Sequence, residues 1–213
     1  MVSKKIAEIL LDKNAVKLSF DPPFTYTSGM KGPIYCDNRV LISYPEERKF
    51  ITDCFCDLIE EKGLNPDFIA GTATAAIPWA AFVADKLGLP MIYIRPAKKE
   101  HGAGKQIEGA LPAGKNVLVV EDLITTGGSS IASIEAIRGE GQGTCDMVFS
   151  IFTYGFEKAR AGFEAVSGEY SALSDFGVLL DVALERGDID QEAYDKIQIY
   201  REDPPSWAGK MGL

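Results

Sequence analysis

The chain has 213 residues, 46% of them hydrophobic and 25% charged, enough to bury a full core without a disulfide or metal staple. These proportions exclude a disordered tail, a collagen-like repeat and a cysteine-stapled scaffold, and no apolar run reaches the roughly 18 residues of a membrane span. The net charge of −9 argues against a general nucleic-acid binder; an anionic ligand must then be met by a local basic cluster.

In chain order, residues 3–13 read as a helix with Ile6, Ile9 and Leu10 on one side. The preceding start, Met1 to Glu8, lacks the apolar region of a signal peptide. Cys36, Cys54, Cys56 and Cys145 sit in apolar contexts and read as reduced thiols. Cys54-x-Cys56 lacks the two-residue spacer of a redox or zinc motif. Together these features predict a cytoplasmic protein. Residues 14–44 hold Pro22-Pro23, Ser28-Gly29 and Gly32-Pro33 between short apolar pieces, which predicts strands and turns. Residues 45–62 predict a helix with Phe50, Ile51, Cys54, Phe55, Leu58 and Ile59 as its apolar stripe, stopped by Gly63.

Short apolar strands then alternate with helices. Strands are expected at 67–70, 91–94, 117–120 and 147–152, and helices at 78–87 and 131–138. Continuous apolar strands between helices indicate a parallel sheet covered on both faces. Residues 176–202 look helical, and 203–213, with Pro204-Pro205, look like a loose tail.

The strongest chemical signal is the fourteen-residue string from Val117 to Ser130. Four β-formers lead into Glu121 and Asp122, then a loop of Thr125, Thr126, Gly127, Gly128, Ser129 and Ser130, then a helix. Ligands of open parallel sheets bind outside the carboxyl ends of the strands. The loop offers bare backbone N–H groups at a helix N-terminus, together with hydroxyls, and its glycines admit an anion closely. Two carboxylates beside such a cradle suit a ligand with hydroxyls, a divalent cation, or both, and a sugar phosphate fits that description. The bland alternative is a strand ending in a solvated turn.

Residues 95–105 gather Arg95, Lys98, Lys99 and Lys105 with the chain's single histidine, His101. Gly102 and Gly104 point to a mobile loop, able to close over an anion. Taken alone, it reads as solvated surface. Gly71 to Ile77 is a small-residue loop entering a helix, suited to a second anion. Phe24 to Arg39, taken alone, reads as a turn-rich hairpin. Other motifs are absent: there is no G-x-x-x-x-G-K-[ST] string, and Gly139-x-Gly141-x-Gly143 follows a helix rather than a strand. One histidine leaves little room for a histidine-rich metal site or a hydrolase triad.

The 117–130 string resembles the phosphoribosyl-diphosphate-binding motif of the type I phosphoribosyltransferases. The resemblance implies that Thr125, Thr126, Gly127, Gly128 and Ser129 hold the 5-phosphate. Glu121 and Asp122 would meet the ribose hydroxyls, with Leu123 and Ile124 completing the stretch. Arg95, Lys99-x-His101-Gly102 and Ile107-Glu108-Gly109 look like the catalytic loop of the orotate phosphoribosyltransferases, which in that family reaches into the neighbouring subunit. Arg95, Lys99 and His101 match its diphosphate-contacting positions; Pro96 stands where some members carry Lys, with Lys98 nearby. These three and Asp122 are the expected catalytic residues.

The core Ser28-Gly29-Met30-Lys31-Gly32-Pro33 is similar to the family's hood over the base, with Thr27 where some members have Lys. Thr72, Ala73 and Thr74 match the pyrophosphate loop, with Ala75 in place of another Lys. Thr125 and Lys31 are the expected orotate contacts. No arginine follows Phe152-Thr153-Tyr154 until Arg160, although some relatives carry an orotate-contacting one there.

The resemblance thus implies one α/β domain over 1–213: a doubly wound, mostly parallel sheet with helices on both faces. It has a hood at 1–44, a core at 45–175 and a C-terminal helical extension at 176–213. It implies Mg²⁺-dependent phosphoribosyl transfer from phosphoribosyl diphosphate to orotate, giving orotidine 5′-phosphate and pyrophosphate, in pyrimidine (UMP) biosynthesis. Mg²⁺ would be held through substrate near Glu121 and Asp122. The partners would be these small molecules and a second copy, in a homodimer with the 95–109 loop acting across the interface, and neither nucleic acid nor membrane. The alternatives are a transferase for another base and a non-catalytic sensor of the diphosphate. The hood and the Lys-x-His-Gly loop weigh against the first. The lack of residues for a nucleic-acid-binding module weighs against the second.

Overall fold

The apolar stripe of the first helix, α1 (Val2–Asp12), buries Ile6, Ala7, Ile9 and Leu10, because that spacing returns to one helical face. The computed structural model describes residues 1–26, 29–96 and 105–212. After α1 come two small antiparallel pairs. β1 (Val16–Leu18) joins β4 (Ile34–Cys36), and β2 (Phe24–Thr25) joins β3 (Lys31–Gly32). A 3₁₀ helix over Asn38–Ser43 leads into α2 (Pro45–Glu61), whose first turn carries Pro45, Glu46 and Glu47. Proline there forfeits no intrahelical bond, and the acids suit the helix dipole.

The central sheet contains β5 (Phe68–Thr72), β6 (Met91–Ile94), β7 (Ile107–Glu108), β8 (Val117–Ile124), β9 (Met147–Thr153) and β10 (Glu169–Asp175). Its order is β10-β9-β8-β5-β6-β7. The first five strands in that order run parallel, and β7 closes antiparallel on β6. Strand alternation divides the core into two layers. Ile69, Leu118, Val120, Phe149 and Ile151 face α1, α2, α3 (Ile77–Leu87) and α6 (Phe176–Arg186). Ala70, Val117, Val119 and Val148 face α4 (Gly128–Gly139) and α5 (Glu157–Ala165). This is the expected doubly wound sheet with helices on both faces. Among the described residues no helix is long and apolar enough to cross a membrane.

The expected boundaries shift in places that matter. β8 does not stop at Val120; it continues through Glu121, Asp122, Leu123 and Ile124. Pairing with β9 (Leu123 opposite Phe152, Ile124 opposite Thr153) outweighs the poor β-propensity of the acids. α4 begins at Gly128 rather than Ile131. The helix α5 and strand β10 were not among the sequence expectations. The expected loose tail is instead a helix, α8 (Pro204–Lys210), following α7 (Gln191–Glu202). Its prolines start the helix instead of breaking it, and Trp207 holds it down, fully buried, with Nε1 donating to the Lys196 carbonyl at 2.8 Å.

Candidate active site

Glu121 lies near the end of β8, 3% exposed, beneath the first turn of α4. Ser129 Oγ and Ser130 Oγ both donate to its Oε1, at 3.2 and 3.0 Å. Burial pushes the Glu121 carboxyl up to about 7, against hydrogen bonds from Thr72, Ser130 and Ser129, and the neighbouring Asp122 charge adds to the rise. Asp122, on the opposite face of the strand, is half-buried. Burial raises it to about 6, while backbone donors and Arg39 oppose the rise. The acidic pair is therefore split. One carboxyl is knitted into the base of the cradle, and the other stands more open to a ligand.

The cradle itself is Thr125, Thr126 and Gly127, followed by the α4 N-terminus. Gly127 caps that helix with φ of +79°, and a Cβ there would lie 3.0 Å from Phe163 Cε2. Glycine is thus required both by conformation and by space. The first N–H groups of α4 have no intrahelical acceptor and point outward, as an anion site needs. Ile131 N–H already reaches the Gly127 carbonyl at 2.9 Å. The hydroxyls of Thr125 and Thr126 remain at the surface, whereas Ser129 and Ser130 turn theirs to Glu121.

Thr72 ends β5, buried, with its hydroxyl 2.9 Å from Ser133 Oγ. It thus belongs to the polar layer beneath Glu121. The Ala73 N–H donates to the Ile94 carbonyl at 2.8 Å. Thr74 follows in the turn before α3. Arg95 leaves β6 with its N–H on the Gln106 carbonyl at 3.0 Å and its guanidinium 3.8 Å from Glu108. Glu140 ties the returning strand to α4, accepting from the N–H groups of Gln106 and Ile107 at 2.9 and 3.1 Å. Lys98, Lys99 and His101 lie outside the described residues.

A cavity of about 520 Å³ adjoins the cradle. Thr125 and Thr126 border it on one side, and Tyr26, Met30, Tyr35 and Cys36 on another. Tyr154 to Lys158 and Tyr200 to Pro205 supply the remaining walls. The expected contact Lys31 is exposed on β3 and does not line it. Aromatic rings continue away from the cavity. Tyr154 stacks on Phe156 at 5.2 Å, Phe156 meets Tyr200 at 6.0 Å, Tyr200 meets Trp207 at 5.7 Å, and Trp207 meets Phe20 at 5.8 Å. Tyr200 also donates to the Tyr26 hydroxyl at 3.3 Å. An apolar slot with hydroxyls at one end suits a flat heterocycle placed beside a sugar phosphate.

Asn38 links the two parts. It is 1% exposed, its Nδ2 donates to the Asp122 carbonyl at 2.6 Å, and Cys36 Sγ donates to its Oδ1 at 3.4 Å. Asn38 lies within the Phe24–Arg39 segment, where nothing in the local sequence marks it for this role. Beside it, Arg39 pairs with Asp37 through two short bonds, 2.6 and 2.8 Å. Tyr154, Phe156, Tyr200 and Arg201 were also missed; only their aromatic or basic character in separate helices and loops could have drawn notice.

Residues 44–146 match the phosphoribosyl transferase domain family. The chain is 51% identical over 188 residues to an orotate phosphoribosyltransferase of Staphylococcus saprophyticus, covering 88% of this chain and 92% of that one. Among solved structures, the orotate phosphoribosyltransferase of Aeropyrum pernix superposes with a TM-score of 0.74 at 29% identity, over 85% of this chain and 99% of that one. The UMP synthase of Leishmania donovani gives a TM-score of 0.78 at 24% identity, over 94% of this chain. The chain spans 42% of that longer protein, and this likeness shows a shared fold.

Proposed function

Since the chain belongs to the orotate phosphoribosyltransferase family, we propose that it joins orotate to phosphoribosyl diphosphate, giving orotidine 5′-phosphate and pyrophosphate in pyrimidine biosynthesis. The observation that carries this reading is the junction of the aromatic cavity with the phosphate cradle at Thr125 and Thr126. A base in the cavity and a 5-phosphate on the α4 N-terminus would place the anomeric carbon near the end of β8. The base nitrogen attacks that carbon, and the bond to pyrophosphate breaks. Positive charge then develops on the ribose, and Asp122 is the carboxylate open enough to favour it. Glu121 acts from below, holding Ser129 and Ser130 and thereby the first turn of α4.

Among the described residues no three metal-ligating side chains cluster. In this reading a Mg²⁺ ion would be held chiefly by ribose and diphosphate oxygens, with Asp122 as the more open of the two carboxylates beside it. Such an ion, when bound, neutralises charge on the leaving group. By family resemblance Arg95, Lys99 and His101 contact the diphosphate, with Lys98 standing in for the Lys that Pro96 replaces. In this reading the protein is a cytoplasmic homodimer whose 95–109 loop serves the neighbouring site. Mixing inactive Lys99→Ala and Asp122→Asn chains should then restore part of the activity; confirmed heterodimers without recovery would place each site within one chain.

The direct test offers orotate, uracil, hypoxanthine and adenine separately with Mg²⁺ and phosphoribosyl diphosphate. Pyrophosphate release with orotate alone is the expected result. Release with another base would keep the cradle and discard the base assignment.

A further inference from the structure

The cavity wall formed after β9 and at the end of α7 carries two cations, Lys158 and Arg201. Among the described residues neither makes a side-chain hydrogen bond or ion pair. Two acids share that wall, Glu157, which is paired with Arg160, and Glu202, next to Arg201 in the chain. Lys158 is an exposed side chain on the first turn of α5. Arg201 is exposed as well, but its head is placed against another element. Its guanidinium lies over Gly177 at the start of α6, with Nη1 3.0 Å and Cζ 3.6 Å from the point where a Cβ at 177 would sit; Asp175 Oδ1, 3.1 Å from the same point, is the acid on that side, and it is engaged by the N–H groups of Gly177 and Val178. Any larger residue at 177 would push it away. A cation in the last turn of α7 gains from the helix dipole wherever it points. That alone does not account for a guanidinium laid across a neighbouring glycine at the edge of an aromatic slot.

We propose that Arg201, from the C-terminal extension, receives the carboxylate of the base. This rests on the reading of the base as orotate. Orotate differs from uracil by one carboxylate, and moving that anion into an apolar cavity is costly unless a cation meets it. The planar fork of arginine matches a carboxylate through two parallel bonds, which a lysine cannot do. Arg201 would thereby discriminate between the two pyrimidines, and it lies outside the 44–146 stretch shared across the wider family.

The test follows pyrophosphate release by the full-length protein and by Arg201→Ala, Arg201→Lys and Lys158→Ala, with orotate and with uracil. Arg201→Ala should lower kcat/KM for orotate by roughly 10- to 100-fold, the worth of a charged hydrogen bond. The KM for phosphoribosyl diphosphate should stay within about twofold. The orotate-to-uracil ratio should fall, and Arg201→Lys should recover part of it. An unchanged kcat/KM, an equal loss with both bases, or a loss confined to Lys158→Ala would overturn the proposal. If the alanine variant does not fold, Arg201→Lys and Arg201→Gln carry the same readout. A wild-type protein that ignores orotate overturns the base reading and this proposal together. A wild-type protein that uses orotate, with an Arg201→Ala variant that uses it equally well, overturns this proposal alone.

Discussion

The two halves of the site are built in opposite ways. The sugar-phosphate half is almost one continuous piece of chain, from Glu121 in the last four residues of β8 onward to Ser130 in the first turn of α4, with Thr72 and Ser133 beneath it. The base half draws its walls from four places: Tyr26, Met30, Tyr35 and Cys36 near the start of the chain, the cradle threonines, the segment around Tyr154 and Phe156, and the segment around Tyr200 and Pro204. Phosphate is recognised by backbone N–H groups at a helix start, and that geometry needs only a strand, a turn and a helix in sequence. A flat ring needs opposed surfaces, and opposed surfaces come from segments far apart in the chain. The first half is held by buried polar bonds around Glu121, the second by aromatic packing anchored at Trp207.

The largest expected effect comes from breaking the anchor of the base half. Trp207→Ala removes a fully buried indole and its bond to the Lys196 carbonyl, a change that costs about 3–5 kcal/mol in a core. Urea unfolding should show that loss. In the folded fraction, the KM for orotate should rise while that for phosphoribosyl diphosphate changes little. An equal rise in both would show that the halves are not separable. The matching change in the other half is Asp122→Asn. Activity should fall by about 10²–10³-fold, the scale set by losing one electrostatic contact to the transition state. Stability above neutral pH should hold or rise, since burial already disfavours the Asp122 charge. A marked drop in Tm would give Asp122 a structural role instead.

The same contrast explains what could be read from the sequence. The parallel core and the cradle were legible because apolar strands, glycines and small hydroxyl residues follow one another locally. Even there, the boundary at Val120 was misplaced, because only the β9 partner strand carries Glu121 and Asp122 into the sheet. The base half was not legible. Lys31, in a recognisable local motif, is exposed and is not among the cavity walls, whereas Tyr154, Tyr200 and Arg201, in no motif, form them. The tail after residue 203 read as loose because two prolines resemble a stop. Trp207 reverses that reading through a contact with Phe20, at the other end of the chain.

Asn38 is where the halves meet, and its removal sharpens the comparison at a smaller scale. Asn38→Ala leaves the Asp122 carbonyl without its side-chain donor and should cost about 1–3 kcal/mol, the penalty for a buried polar group that loses its partner. Both KM values should shift modestly in this variant, unlike those of Trp207→Ala. If only one substrate is affected, Asn38 serves one half and the link between them lies elsewhere.

The smallest effect is a slope with pH, and it isolates the polar half. Glu121 titrates near 7 in the fold and near 4.3 in an unfolded chain. The native state therefore binds more protons than the unfolded state between those values, and stability must fall as pH rises through that window. Asp122, raised to about 6 by burial, acts in the same direction. The carboxyls held below their usual range, such as Asp37, Asp53 and Asp67, act in the opposite sense. They favour the fold as pH rises, but that gain is complete by about pH 5, once the unfolded carboxylates have ionised. Unfolding free energies measured from pH 5 to 8 should decline in the wild type and decline less in Glu121→Gln. Parallel curves would mean that Glu121 is ionised throughout. Ser129 and Ser130 would then be held by a charge already present, rather than by a carboxyl that is partly protonated near neutral pH.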